Sequence, residues 1–132
     1  GASGAFSNSN RITNPRRDRA GGEVLYTAGK FKFKAEVMGG VDGELHRLGY
    51  YTHVGYRITP KIEAIFRIDG FDPDRRGETD SKNVSERDYV SGFNYYITEN
   101  HFKFQFNYIR KTFNNGIQPS KNLFLANVQT SW

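Results

Sequence analysis

Asn122-Leu123-Phe124-Leu125-Ala126-Asn127-Val128-Gln129-Thr130-Ser131-Trp132 is the stretch on which the fold turns. At period two, one face carries Phe124, Ala126, Val128, Thr130 and Trp132, and the other Leu123, Leu125, Asn127, Gln129 and Ser131. Such alternation predicts a β-strand whose two faces meet different surroundings. The strand before it sharpens the pattern. Phe102, Phe104, Phe106 and Tyr108 share one face, and Lys103, Gln105, Asn107 and Ile109 the other. Four aromatics in register suit lipid or a very large core.

The same two-faced pattern runs back along the chain. Leu48, Tyr50, Thr52, Val54, Tyr56 and Ile58 oppose Gly49, Tyr51, His53, Gly55 and Arg57. Ile62, Ala64, Phe66 and Ile68 oppose Glu63, Ile65, Arg67 and Asp69; Ser91, Phe93, Tyr95 and Ile97 oppose Val90, Gly92, Asn94 and Tyr96. Phe31, Phe33, Ala35 and Val37 oppose Lys32, Lys34, Glu36 and Met38, after a strand from about Gly21 to Ala28. No helical period of comparable quality appears. The expectation is an all-β chain of about seven antiparallel up-and-down strands over 20–132. Residues 1–19 are read as the end of a preceding strand plus a long extracellular loop.

A length of 132 residues fits one domain. Cysteine is absent, so no disulfide or thiolate metal site is available. The net charge of +5 points to anionic partners. Mean hydropathy is negative, yet 15% of the residues are aromatic. That combination fits a transmembrane barrel, because half of every strand faces a polar interior. No run approaches the ~18 apolar residues of a spanning helix. Gly1–Asn10 has neither a basic start nor an apolar core, so a mature chain or a piece of one is expected.

Connections carry as much information as strands. Short turns at Gly29-Lys30, Thr59-Pro60-Lys61 and Glu99-Asn100-His101 alternate with polar stretches at 7–19, 40–47, 70–87 and 113–121 that read as long loops. Outer-membrane barrels have short periplasmic turns and longer extracellular loops. Aromatics flank both ends: Tyr26, Phe31, Tyr56, Tyr95 and Phe102 by the short turns, and Tyr50, Phe71, Tyr89, Tyr108 and Phe124 by the long loops. A soluble up-and-down barrel would alternate identically with its faces inverted. It would have no reason to segregate turn lengths by end. If Trp132 lies on the periplasmic side, seven strands counted back start outside, so this chain alone is not expected to close a barrel. It is expected to be the C-terminal part of a larger barrel, as a fragment, a cleaved piece or part of a longer polypeptide.

With these residues in view, the last strand, ending on an aromatic, resembles the C-terminal strand of bacterial outer-membrane barrels. The chain resembles the C-terminal part of the phosphate-selective porin O and P group. The likeness is carried by Gly49-Tyr50-Tyr51, Ile58-Thr59-Pro60-Lys61-Ile62-Glu63, Phe66-Arg67-Ile68-Asp69, Phe93-Asn94-Tyr95-Tyr96, Phe102 to Tyr108, and Trp132. It implies a passive outer-membrane channel for small, preferentially anionic, phosphate-type solutes, with no enzymatic activity. Barrels of that group have about 16–18 strands and are often trimeric. The resemblance therefore implies remaining N-terminal strands from the same or a separate chain, a homotrimer, contact with outer-membrane lipid, and small anionic solutes. It also implies that the barrel assembly machinery reads Trp132, in register with Phe124 and Val128. The group's own anion ligands cannot be carried over to matching positions.

On the face away from the aromatics, Lys32, Lys34, Arg57, Arg67 and Lys103 form an expected basic track for anions. Glu23, Glu36, Glu63, Asp69 and Asp88 share that face, so the same residues also read as cross-strand ion pairs, Arg67 with Glu63 or Asp69 and Lys34 with Glu36. His46, His53 and His101 lack metal-ligand spacing, and no metal or cofactor is expected. A hydrolase grouping of His53, Asp69 and Ser91 has nothing to bring its members together. Asp72-Pro73-Asp74-Arg75-Arg76-Gly77-Glu78-Thr79-Asp80 resembles a calcium loop but places Arg76 where an oxygen ligand is required. Nucleic acid is disfavoured because basic and aromatic residues fall on opposite faces. A structural or docking barrel with a plugged lumen is the alternative, favoured by Leu25, Met38, Ile65, Val90, Leu123 and Leu125 on the inward face.

Overall fold

The computed structural model describes residues 2–5, 17–75, 84–98, 102–114 and 118–130. Alternating sequence becomes one antiparallel sheet. Its strands are β1 (Ala2–Ala5), β2 (Arg17–Ala28), β3 (Phe31–Asp42), β4 (Leu45–Thr59), β5 (Ile62–Asp72), β6 (Glu86–Thr98), β7 (Phe102–Phe113) and β8 (Lys121–Thr130). They pair strictly in chain order, β1 to β8, an up-and-down meander. Seven long strands thus follow a short one, and no helix occurs among the described residues. The sheet does not close, since β1 and β8 are its two edges.

The register keeps the two faces intact across strands. Phe33 pairs with Val54 and Val54 with Phe66, while Lys34 pairs with His53 and His53 with Arg67. On the aromatic side Phe93 pairs with Phe106 and Phe106 with Ala126, and the Phe93 and Phe106 rings stack at 5.0 Å. The buried side chains Glu63, Val90, Asn94 and Tyr96 all belong to the opposite, polar set. The aromatic set stays exposed, as at Tyr56, Phe66, Phe93 and Phe124. Side chains crowd on the inside of a curled sheet, so the polar face is the interior and the aromatic face the exterior. A soluble barrel would show the reverse.

Four expectations need correction. The stretch 40–47 is not a long loop: Gly40, Val41 and Asp42 pair rung for rung with Arg47, His46 and Leu45. Only Gly43-Glu44 turns the chain, with Gly43 at φ 62, the left-handed region that a tight hairpin demands and glycine supplies freely. Likewise β2 begins at Arg17, inside the stretch 7–19 read as loop, and β6 begins at Glu86, inside 70–87. In all three places charged residues and glycines break the alternation, so the hydrophobic period fades before the ladder does. Finally, Phe71 lies on the polar face, opposite Glu86, and is not part of the outer aromatic ring.

The turn at Gly29-Lys30, with Gly29 at φ 56, and that at Pro60-Lys61 joining β4 to β5 are as expected, while Glu99-Asn100-His101 lies outside the described residues. Beside two of the short connections the register slips, between Arg57 and Thr59 and between Tyr96 and Thr98. Bulges of this kind increase local twist and are common at barrel rims.

Candidate functional site: the charged inner wall

All five residues of the expected basic track fall on the inner face, because parity along a strand is local and survives any register. The structure gathers them into two groups. Lys32, Arg57 and Lys103 lie toward the short-turn end and surround Glu63 and Tyr96. Lys34 and Arg67 lie on one rung, either side of His53.

Glu63 is the hub of the first group. It is 5% exposed. Its Oε2 accepts hydrogen bonds from Tyr96 Oη at 2.6 Å and Asn94 Nδ2 at 3.0 Å, and its Oε1 lies 3.9 Å from Lys32 Nζ. Gln105 Nε2 extends the chain by donating to Asn94 Oδ1 at 3.1 Å. The Tyr96 ring carries two cations, the Arg57 guanidinium at 4.8 Å and Lys103 Nζ at 5.9 Å. A buried carboxylate is tolerated only when charge and hydrogen bonds are both satisfied, and this one has both. Three cations thus gather round the Glu63–Tyr96 pair, Lys32 beside the carboxylate and Arg57 and Lys103 over the ring.

At mid-wall the charges are matched. Arg67 Nε meets Asp69 Oδ2 at 2.9 Å. Lys34 Nζ is 4.0 Å from both Glu23 and Glu36 and lies 5.3 Å over the Tyr51 ring. Arg67 therefore chooses Asp69 and leaves Glu63 to Lys32. Both pairs are half exposed, so they order the wall more than they stabilise it.

The long-loop end carries a cluster that sequence reading missed. Asp42 is approached by Arg19 Nη2 at 2.6 Å, Arg47 Nη1 at 3.4 Å and Arg17 Nε at 4.0 Å. Arg19 also donates through Nη1 to Val41 O at 3.1 Å. These four residues sit in stretches read as loop. The period-two spacing of Arg17 and Arg19, and Asp42-Gly43 as a hairpin signal, were the clues available. Further round, Lys111 pairs with both Glu86 and Asp88, the latter at 2.8 Å.

Other candidate groupings come apart. Ser91 pairs with Phe66 on the outer face, whereas His53 and Asp69 point inward, so no hydrolase site exists there. Among the described residues, no group of His, Asp and Glu is arranged to hold a metal ion. His101, Trp132 and residues 76–80 of the calcium-like loop lie outside the described residues. Phe124 and Val128 do share the outer face, facing Tyr108 and Phe104.

A single antiparallel meander, aromatic outside and charged inside, is the wall of a membrane-spanning β-barrel channel. Among the described residues no helix is long and apolar enough to cross a membrane. The family model described as phosphate-selective porin O and P matches residues 4–123, and the chain belongs to that family. Its members are bacterial outer-membrane channel proteins, which places this chain with channels rather than enzymes. No curated protein and no solved structure matched the chain.

Proposed function

We propose that this chain forms part of the wall of an outer-membrane pore through which small solutes, anions in preference, pass by diffusion. The observation that carries the reading is the excess of cations at both ends of the inner wall. Three arginines share Asp42 at one end, and Lys32, Arg57 and Lys103 gather round the Glu63–Tyr96 pair at the other. Phosphate-type oxyanions match guanidinium and ammonium groups of this kind. Residues 20–132 supply the spanning strands in this reading, and residues 1–19 the end of a preceding strand with its extracellular loop. Open strand edges are not tolerated in hydrocarbon, so further strands complete the barrel, from the same chain or another, in a trimer.

A plugged docking barrel is the second reading. It draws on apolar side chains left exposed on the inner wall, Leu25 and Met38 above all. Reversal potential across a planar bilayer in a salt gradient separates the two, using the complete barrel that contains this chain. Changing Lys32, Lys34 and Arg67 together to Gln should shift the potential toward cations. A cation-selective parent, or no conductance at all, would overturn the anion-pore reading and leave the docking barrel.

A further inference from the structure

The outer face is apolar through its middle, but β6 and β7 place two arginines on it, Arg87 and Arg110. Both are exposed. The register sets Arg87 opposite Thr112 and Arg110 opposite Tyr89, so the two arginines are diagonal neighbours on adjacent strands. Such positions lie about 7–8 Å apart, close enough for two guanidinium groups to grip one phosphate. Among the described residues neither forms an ion pair with a carboxylate.

The position is built around Gly70. Tyr50 on β4 leans across β5 at that point, and a Cβ on Gly70 would come within 2.3 Å of the Tyr50 ring. Without one, the Tyr50 hydroxyl reaches β6 and accepts a hydrogen bond from Arg87 Nε at 3.1 Å. Beside this saddle is a concavity of about 370 Å³, lined by Leu48, Tyr50, Asp72, Arg87, Thr112 and Asn114 among others. Two carboxylates also line it, and both are engaged: Asp72 Oδ1 accepts from the Asp74 amide at 3.2 Å, and Glu86 pairs with Lys111. Immediately toward the middle of the sheet the surface becomes aromatic, with Tyr108 against Phe124 at 5.1 Å and Phe93 against Phe106.

A lipid-facing arginine costs about 2–4 kcal/mol at the bilayer midplane and almost nothing near an interface. Arginines just beyond a tyrosine ring therefore mark the headgroup level, where tyrosine is enriched. We propose that Arg87 and Arg110, with Tyr50 and Thr112, form a binding site on the outside of the barrel for a phosphorylated lipid headgroup. The lipid belongs to the leaflet on the long-loop side, and its acyl chains lie along the Phe93, Phe106 and Phe124 surface. Charge complementarity selects this occupant, since two cations face outward where a neutral lipid would leave them unmatched. The site is independent of solute passage, because both arginines lie on the face away from the pore.

The test uses the complete barrel in nanodiscs of phosphatidylcholine doped with diphosphorylated lipid A or with its dephosphorylated form. Lipid retained per barrel is read by native mass spectrometry. The wild type should retain the phosphorylated form selectively. Arg87→Gln and Arg110→Gln should each weaken retention about tenfold, as loss of one charge-assisted hydrogen bond does, and Arg87→Lys should retain most of it. Reversal potential should not move in either Gln variant. Equal retention of the two lipid forms by the wild type would overturn the proposal without any variant having to fold. So would unchanged retention in the double Gln variant, or full displacement of lipid A by inorganic phosphate, which would make this a free-anion site.

Discussion

Replacing Glu63 tests the inner wall most sharply, because one side chain there serves both stability and charge. Two hydrogen bonds end on its carboxylate, from Tyr96 at 2.6 Å and Asn94 at 3.0 Å. Bonds to a charged group contribute about 1.5–3 kcal/mol each. The contact to Lys32, half exposed and 3.9 Å away, adds less than about 1 kcal/mol. Asn94 and Tyr96 are themselves buried, so Glu63→Ala strands two donors and should cost about 3–5 kcal/mol. Glu63→Gln keeps an acceptor oxygen in place and should cost only about 1–2 kcal/mol. The Gln variant also removes the negative charge beside Lys32 and next to the Tyr96 ring that carries Arg57 and Lys103. At 3.9 Å from Lys32 that charge acts well inside the screening length of about 10 Å at 0.1 M salt, so the reversal potential should shift toward anions. Two assays on the complete barrel read the two effects: the denaturation midpoint by heat-modifiable gel mobility, and reversal potential in a salt gradient. A Gln variant as stable as wild type, with a potential unmoved or shifted toward cations, would refute the role assigned to Glu63.

Three further outcomes are expected. Phe106→Arg, between Phe93 and Ala126 near the middle of the outer face, should cost about 2–4 kcal/mol on folding into a bilayer; if Gln105→Arg is the harmful change instead, the faces are inverted. Asp42→Asn should strengthen anion preference by releasing Arg17, Arg19 and Arg47, at a stability cost of roughly 1 kcal/mol given their exposure; a shift toward cations in bilayer recordings would contradict it. Deleting Trp132 should lower outer-membrane levels in cells more than it lowers the melting point of barrel that does assemble, and normal levels by fractionation and blotting would remove its role as an assembly signal.

How far the sequence reaches here follows from the range of each interaction. Period-two alternation is a property of neighbouring residues, so it placed Lys32, Lys34, Arg57, Arg67 and Lys103 on one face and Phe104, Phe106 and Phe124 on the other without reference to any partner strand. The turns at Gly29-Lys30 and Pro60-Lys61 were equally local, and with them came the antiparallel order. Alternation faded where charged residues and glycines interrupt it, at Arg17–Arg19, Gly40–Arg47 and Glu86–Arg87, and there strand was taken for loop. Composition cannot reveal a ladder whose hydrogen bonds are made by backbone alone.

Tertiary structure decided who meets whom. Glu63 reaches Asn94 and Tyr96 from a different strand, and which cation it takes depends on registers set by two bulges and two hairpins. A slip of one residue would have turned every inner side chain outward. Arg67 meeting Asp69, three arginines converging on Asp42, and Tyr50 crossing Gly70 to reach Arg87 are likewise contacts of geometry. Which face is the inside could be argued from turn lengths, but only the structure shows it as packing, with Glu63, Val90, Asn94 and Tyr96 buried on the polar side where neighbouring strands crowd their side chains together.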